Sequence, residues 1–164
     1  MNFKDKVFLI RGSTSGIGQG IAKSLLEEGA KVVINYGHDE KKAEETRRLF
    51  EKYQDRSLFI KADISKENDV INMYKKIEEK FNRLDGLVNN AVYDKIFAIE
   101  NLTVEEFRKE LDVNVIARWM CIKNAIPLLK KSNMPRVVNI ASRLGTKPCV
   151  EASAYCSAEA GIIN

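Results

Sequence analysis

Short β-branched apolar runs alternate with longer stretches of helical period along the whole chain, and this alternation leaves few folds open. A short apolar run fits a strand buried on both faces, and the helical stretch after it supplies the crossover that a parallel neighbour requires. Strands are expected over residues 7–10, 31–35, 58–62, 86–89 and 136–140. Helices are expected over 17–28, closed by Gly29, from the cap Asp39 to about residue 53, and over 67–81. Thr103 followed by Glu106 fits a capping box that opens a long helix reaching about residue 131, with Pro127 as the position of a kink. A last helical pattern begins after Ala152 and runs toward Asn164. Right-handed crossovers with helices on both faces predict an α/β, doubly wound Rossmann-type parallel sheet of strand order 3-2-1-4-5. Ligand sites then fall at the carboxyl ends of the strands. Neither a linker nor a repeat divides residues 1–164, which read as a single domain, and a sheet ending at strand five leaves an apolar edge unless something covers it.

Composition removes several function classes. Apolar residues make up 45% of the chain and charged residues 30%, as in folded proteins rather than disordered tails. The net charge of +4 is mild, and the basic residues are spread out without a nucleic-acid motif, so no nucleic-acid partner is expected. The start, Met1-Asn2-Phe3-Lys4-Asp5-Lys6, puts charges where a signal peptide needs an apolar core. No apolar run approaches the roughly 18 residues of a membrane span, so a cytoplasmic location without a membrane partner is expected. Cys121, Cys149 and Cys156 are odd in number and lack C-x-x-C spacing; they read as small packing residues, with neither a disulfide framework nor a metal site. The single histidine, His38, reads as exposed in a polar loop.

The segment Gly12-Ser13-Thr14-Ser15-Gly16-Ile17-Gly18 lies between the first strand and the first helix. Glycines there let the chain turn tightly and bring N–H groups against a pyrophosphate, while the helix N-terminus adds partial positive charge. Isolated turn glycines are weak evidence, but strand, turn and helix in this order favour phosphate binding. Asn114, Ser142 and Tyr155 form a second set. Ser142 follows the fifth strand and Tyr155 stands near the start of the last helix, so two hydroxyl groups meeting at one carbonyl would polarise it and deliver a proton. A turn serine and a half-buried tyrosine are the structural alternative.

Taken together, Gly12-x-x-x-Gly16-x-Gly18, Asp63 after the third strand, Asn89-Asn90-Ala91, Asn114, and Ser142 with Tyr155 make the chain resemble the classical short-chain dehydrogenase/reductase family over essentially its whole length. The resemblance implies phosphate contacts from Gly12, Ser13, Thr14, Ser15, Gly16, Ile17 and Gly18. It implies an adenine contact at Asp63, places Tyr36 and Ile64 on the cofactor, and gives Asn89, Asn90 and Ala91 structural and cofactor contacts. Ser142 would orient a substrate carbonyl, and Tyr155 would act as general acid or base beside the cofactor. Asn114 would hold a water of the proton relay. The implied reaction is hydride exchange between NADP(H), or NAD(H), and a small-molecule carbonyl or alcohol, in a homodimer or homotetramer built on the long helix and the last helix.

Four departures from the family pattern accompany the resemblance. Glu159 stands where the family places a lysine four residues after the tyrosine; if ionised it would repel a tyrosinate, and if turned to solvent it would not. At about 5 Å and an effective dielectric of about 20 the repulsion is roughly 3 kcal/mol, on the order of two pKa units. Arg11 and Val92 stand where threonine and glycine are usual, and both are expected to add bulk beside the cofactor cleft. The family's C-terminal strands and substrate loop are expected to be absent from these 164 residues. Glu159 keeps open the alternative of a dinucleotide-binding protein with impaired catalysis, or of a truncated product. The second strand ends in Asn35-Tyr36-Gly37-His38 without an acid to exclude a 2′-phosphate, Asp39 reads as a cap, and Lys41 and Lys42 follow, which favours NADP over NAD.

Overall fold

In the computed structural model, which describes residues 3–164, alternating in-and-out side chains sort each strand onto two faces of one parallel sheet. Its strands are β1 (Val7–Ile10), β2 (Lys31–Tyr36), β3 (Ser57–Lys61), β4 (Gly86–Asn89) and β5 (Arg136–Asn139), in the order β3-β2-β1-β4-β5. Register is continuous across the centre, with Leu9 opposite Val33 on one side and opposite Leu87 on the other. The expected doubly wound order is therefore present. Met1 and Asn2, which head the charged N-terminal stretch, lie outside the described residues.

The helices are α1 (Gly16–Glu27), α2 (Glu40–Leu49), α3 (Glu67–Phe81), α4 (Val104–Leu111), α5 (Ala117–Leu129) and α6 (Ser153–Ile163). On one face Leu9, Val33, Ile60 and Leu87 pack with Val70, Met73, Ile77, Cys121, Ala125 and Leu128. On the other, Ile10, Val32, Ile34 and Val88 pack with Ala22, Leu26, Phe50 and Tyr53. Helices thus cover both faces, as the crossover rule requires.

Local signals behave largely as expected. Asp39 accepts a hydrogen bond from the Lys42 amide at 3.0 Å and caps α2, which stops at Leu49 and passes into a 3₁₀ segment, Glu51–Arg56. Thr103 accepts from the Glu106 amide at 3.1 Å, but Glu106 completes no box, because its carboxylate takes the Tyr93 hydroxyl at 2.7 Å instead. Pro127 lies inside α5, which continues through it to Leu129, and the irregularity in the long helix is a π-helical turn, Asp112–Ile116, between α4 and α5. Cys121 and Cys156 are buried as packing residues, whereas Cys149 is exposed. All four residues of β5 are exposed, with Val138 at 47%, so the uncovered edge expected from the pattern is present among the described residues.

Candidate active site

The turn after β1 is locked from beneath and open above. Gly12 has φ +64, and a Cβ there would meet the Cα and Cβ of Ala91 at 2.9 Å. Asn90 donates from Nδ2 to the carbonyls of Gly12 at 3.0 Å and Arg11 at 3.3 Å, so the Asn-Ala pair after β4 braces the turn. Gly18 closes the other side, since a Cβ would stand 2.3 Å from the Gly12 carbonyl oxygen. Ser13 is enclosed, donating its amide to Asn35 O at 3.1 Å and its hydroxyl to Ile10 O at 2.8 Å. The Thr14 carbonyl accepts from Thr46 Oγ1 at 3.2 Å and Gln19 Nε2 at 3.4 Å. Ser15 is the N-cap of α1 in extended backbone, yet its hydroxyl caps none of the first-turn amides. Ser15, Gly16 and Ile17 are exposed, and a Cβ on Gly16 would find no heavy atom within 4 Å. An anion at this helix end would therefore meet unspent N–H groups and a favourable dipole.

Below the turn, the residues that depart from the family pattern are accommodated. Arg11 is 0% exposed, and its guanidinium donates to Asn89 Oδ1 at 3.0 Å and to the Val113 carbonyl at 3.5 Å. The expected bulk beside the cleft is not found at this position, because the side chain is enclosed behind the turn. Val92 is half-exposed and has no positive φ, so a β-branched residue there imposes no left-handed backbone. Asn89 is enclosed as well, its Nδ2 donating to Asn139 Oδ1 at 2.8 Å, which ties β4 to β5. Asn114, in the π turn, spends both side-chain donors on the Tyr93 carbonyl (2.6 Å) and Glu110 Oε2 (2.8 Å), and accepts from the Tyr93 amide at 2.9 Å. Its side chain thus holds the segment after β4. Glu110 also accepts the Lys95 amide, and burial pushes its carboxyl above the ordinary value.

At the ends of β2 and β3 sit Tyr36, Asp63 and Ile64. Tyr36 is 8% exposed, and its hydroxyl accepts from Arg47 at 3.5 Å. Burial raises the Asp63 pKa, but bonds from the Ser65 hydroxyl and amide, with His38 and Lys66 nearby, outweigh it and hold the carboxyl low. Ile64 belongs to the core packed on α3. His38 is 79% exposed, as expected, with Nε2 3.4 Å from Asp63 Oδ2.

The second centre lies beyond β5. Ser142 caps a 3₁₀ turn, Arg143–Gly145, its Oγ accepting from the Leu144 amide at 3.2 Å. Tyr155 is half-buried on the first turn of α6. Burial raises the Tyr155 pKa; the nearby Ser142 side chain and Arg118 lower it, Glu159 and Asp94 raise it, and the balance stays above the ordinary tyrosine value. Glu159 does not turn to solvent. It is 1% exposed, its Oε2 accepts the Ser142 amide at 2.7 Å, and its Oε1 lies 3.7 Å from Arg118 Nη2. Its repulsion of a tyrosinate has the expected sign but ranks below burial. Sequence reasoning missed Arg118, Glu110, Asn35 and Thr46, all buried polar groups with at least one partner more than ten residues away. A charged residue at an inward-facing position of the long helix is the one signal that could have marked Arg118.

Comparison with known proteins fits this geometry. The family model for short chain dehydrogenases matches residues 6–164. An uncharacterized oxidoreductase of Thermotoga maritima is 40% identical over 88% of this chain and 57% of its own length. The D-beta-hydroxybutyrate dehydrogenase of Rhizobium meliloti is 34% identical over 96% of this chain and 62% of its own. The crystal structure of a short chain dehydrogenase from Burkholderia cenocepacia J2315 in complex with NADP superposes with a TM-score of 0.92 at 31% identity, covering 99% of this chain and 66% of that one. The chain therefore spans about three fifths of the length of the curated relatives it matches.

Proposed function

The chain belongs to the short-chain dehydrogenase family, and from that premise we propose that it acts in hydride transfer between a nicotinamide dinucleotide and a carbonyl or alcohol. The observation that carries the reading is the open helix-end cradle at Ser15–Ile17 on one sheet with Ser142, in the turn after β5, and a half-buried Tyr155 whose phenol the Ser142 side chain influences. On this reading residues 1–164 are one dinucleotide-binding unit. Gly12 through Gly18 cradle the diphosphate, Tyr36, Asp63 and Ile64 flank the adenosine, and Asn90 with Ala91 fixes the cradle's floor. A bound dihydronicotinamide would supply the hydride to the carbonyl carbon. Tyr155 transfers its phenolic proton to the carbonyl oxygen, and the Ser142 hydroxyl donates a second hydrogen bond to that oxygen. A phenol held above its ordinary pKa is protonated at neutral pH, which suits reduction. Asn114 acts as a positioning residue, its side-chain donors being committed to Tyr93 and Glu110.

NADP(H) is favoured over NAD(H). Asp39, the carboxylate just past the end of β2, caps α2 and is paired with the Lys42 ammonium at 3.4 Å, so its charge is offset by a neighbouring cation. The related Burkholderia structure holds NADP. A small-molecule carbonyl or alcohol is the proposed substrate; no helix among the described residues is long and apolar enough to cross a membrane. A cytoplasmic homodimer or homotetramer packed through α5 and α6 completes the proposal, consistent with exposed Trp119 and Ile126. Fluorescence titration with NADPH and NADH, followed by turnover with a ketone panel, tests it. Binding of NADPH with ketone-dependent oxidation is expected; failure to bind either dinucleotide would overturn it.

A further inference from the structure

Two arginines are enclosed behind the candidate site, and among the described residues one carboxylate is within ion-pair reach of either. Arg118, with its side chain 4% exposed, lies 3.7 Å from Glu159, itself 1% exposed. Its Nε and Nη1 make no hydrogen bond. Arg11, at the end of β1, is 0% exposed and has only the neutral acceptors Asn89 Oδ1 and the Val113 carbonyl. Of the other enclosed carboxylates, Glu110 is committed to Asn114 and the Lys95 amide, and Asp85 to the Val7 amide, Ser132 and Arg83. Glu159 also reaches the other way, accepting the Ser142 amide at 2.7 Å, and Gly145 packs so tightly on it that a Cβ would lie 2.7 Å from the Glu159 carbonyl carbon. One side chain thus links α5, the turn after β5 and α6.

We infer that Glu159 is the counter-ion of the buried Arg118, and that Arg118 and Glu159 form a positioning pair for Ser142 and Tyr155. The inference rests on the proposed reading only in naming Ser142 and Tyr155 as the reacting pair. A buried ion pair contributes little net stability, yet removing one partner leaves an uncompensated charge and is costly. Burial lowers the pKa of both arginines; Glu159 raises that of Arg118, and Arg118 lowers that of Arg11. The lysine that the resemblance leads one to expect at this position would therefore face the enclosed Arg118 guanidinium. Glu159→Lys alone is then no repair. It becomes tolerable only when Arg118 is also neutral.

The test is a double-mutant cycle on the intact chain with Glu159→Lys, Arg118→Met and the double variant, read by urea unfolding. Glu159→Lys should be strongly destabilised and the double variant should recover, with a coupling of about tenfold or more in the unfolding equilibrium constant. In parallel, ¹³Cζ-tyrosine NMR, assigned through Tyr155→Phe, follows the Tyr155 titration. Ser142, Asp94, Glu159 and Arg118 face that phenol. Glu159→Gln should move the titration down and Arg118→Met should move it up, opposite shifts that a merely structural role would not produce. Additive single variants, or Tyr155 shifts of the same sign, overturn the inference. Glu159→Gln and Arg118→Met carry the test if Glu159→Lys does not fold. Absent NADPH binding in the parent protein with intact coupling would sink the oxidoreductase reading and leave this one standing.

Discussion

Replacing Gly18 by alanine adds one methyl group where the turn has no room. That methyl would stand 2.3 Å from the Gly12 oxygen, 3.1 Å from its carbonyl carbon and 2.6 Å from Asn90 Nδ2. Carbon contacts are most favourable at about 3.5–4.0 Å, so the turn must open by roughly 1 Å or more. Opening it breaks the Asn90 to Gly12 hydrogen bond of 3.0 Å, a loss of about 1 kcal/mol, and overpacking costs about 1–3 kcal/mol more. Alanine returns about 1 kcal/mol of helix propensity, leaving a net loss of about 1–3 kcal/mol. Gly20, two residues on in the same helix, has nothing within 4 Å of an added Cβ. Gly20→Ala should therefore gain about 0.5–1 kcal/mol. Urea unfolding should separate the two midpoints by roughly 1–2 M. Equal midpoints would refute the claim that Gly18 is required by close approach, and with it the rigid cradle. NADPH titration of the same variants should show weakened binding for Gly18→Ala alone.

Other outcomes follow from the buried carboxylate and the phenol. Asp85 is 4% exposed and accepts from the Val7 amide, Ser132 and Arg83. Burial raises its pKa, but these bonds outweigh it and hold the carboxyl below the ordinary value. Its stabilisation is therefore complete above the unfolded pKa of about 3.9 and is lost as pH falls through the lower folded value. Asp85→Asn should cost about 2–3 kcal/mol at neutral pH by urea unfolding and flatten the acid limb of stability against pH; an unchanged acid limb refutes this. Tyr155→Phe should lower turnover by about 10²–10⁴ with NADPH affinity retained, and loss of binding instead would assign Tyr155 a purely structural role. With the Tyr155 pKa raised, alcohol oxidation should keep climbing with pH up to about 10 while ketone reduction stays flat, and an oxidation plateau below about pH 9 contradicts it.

The fold was legible because its signals are local. Strand runs, the Asp39 cap, Gly29 and the glycine turn each act over a few residues, and the right-handed rule converts their order into topology. The π turn escaped notice because Asn114 within it bonds Tyr93, a partner 21 residues away that no periodicity encodes. Arg11 was expected to crowd the cleft because its position in sequence was visible while its direction was not; Asn89 and Val113 draw it inward. For Glu159 the sequence left both solvent and site open. The arginine that decides between them sits on another helix, and charge complementarity across α5 and α6 appears only once the chain is folded.

The account stands on the turn from Gly12 to Gly18 accepting the diphosphate of a nicotinamide dinucleotide. A ¹⁵N-resolved NMR titration with NADPH measures this amide by amide. The largest shifts should fall on Ser13 through Gly18, with smaller ones near Tyr36 and Asp63. Saturating NADPH that leaves the Ser13–Gly18 amides unmoved would contradict it, whatever else in the molecule responded.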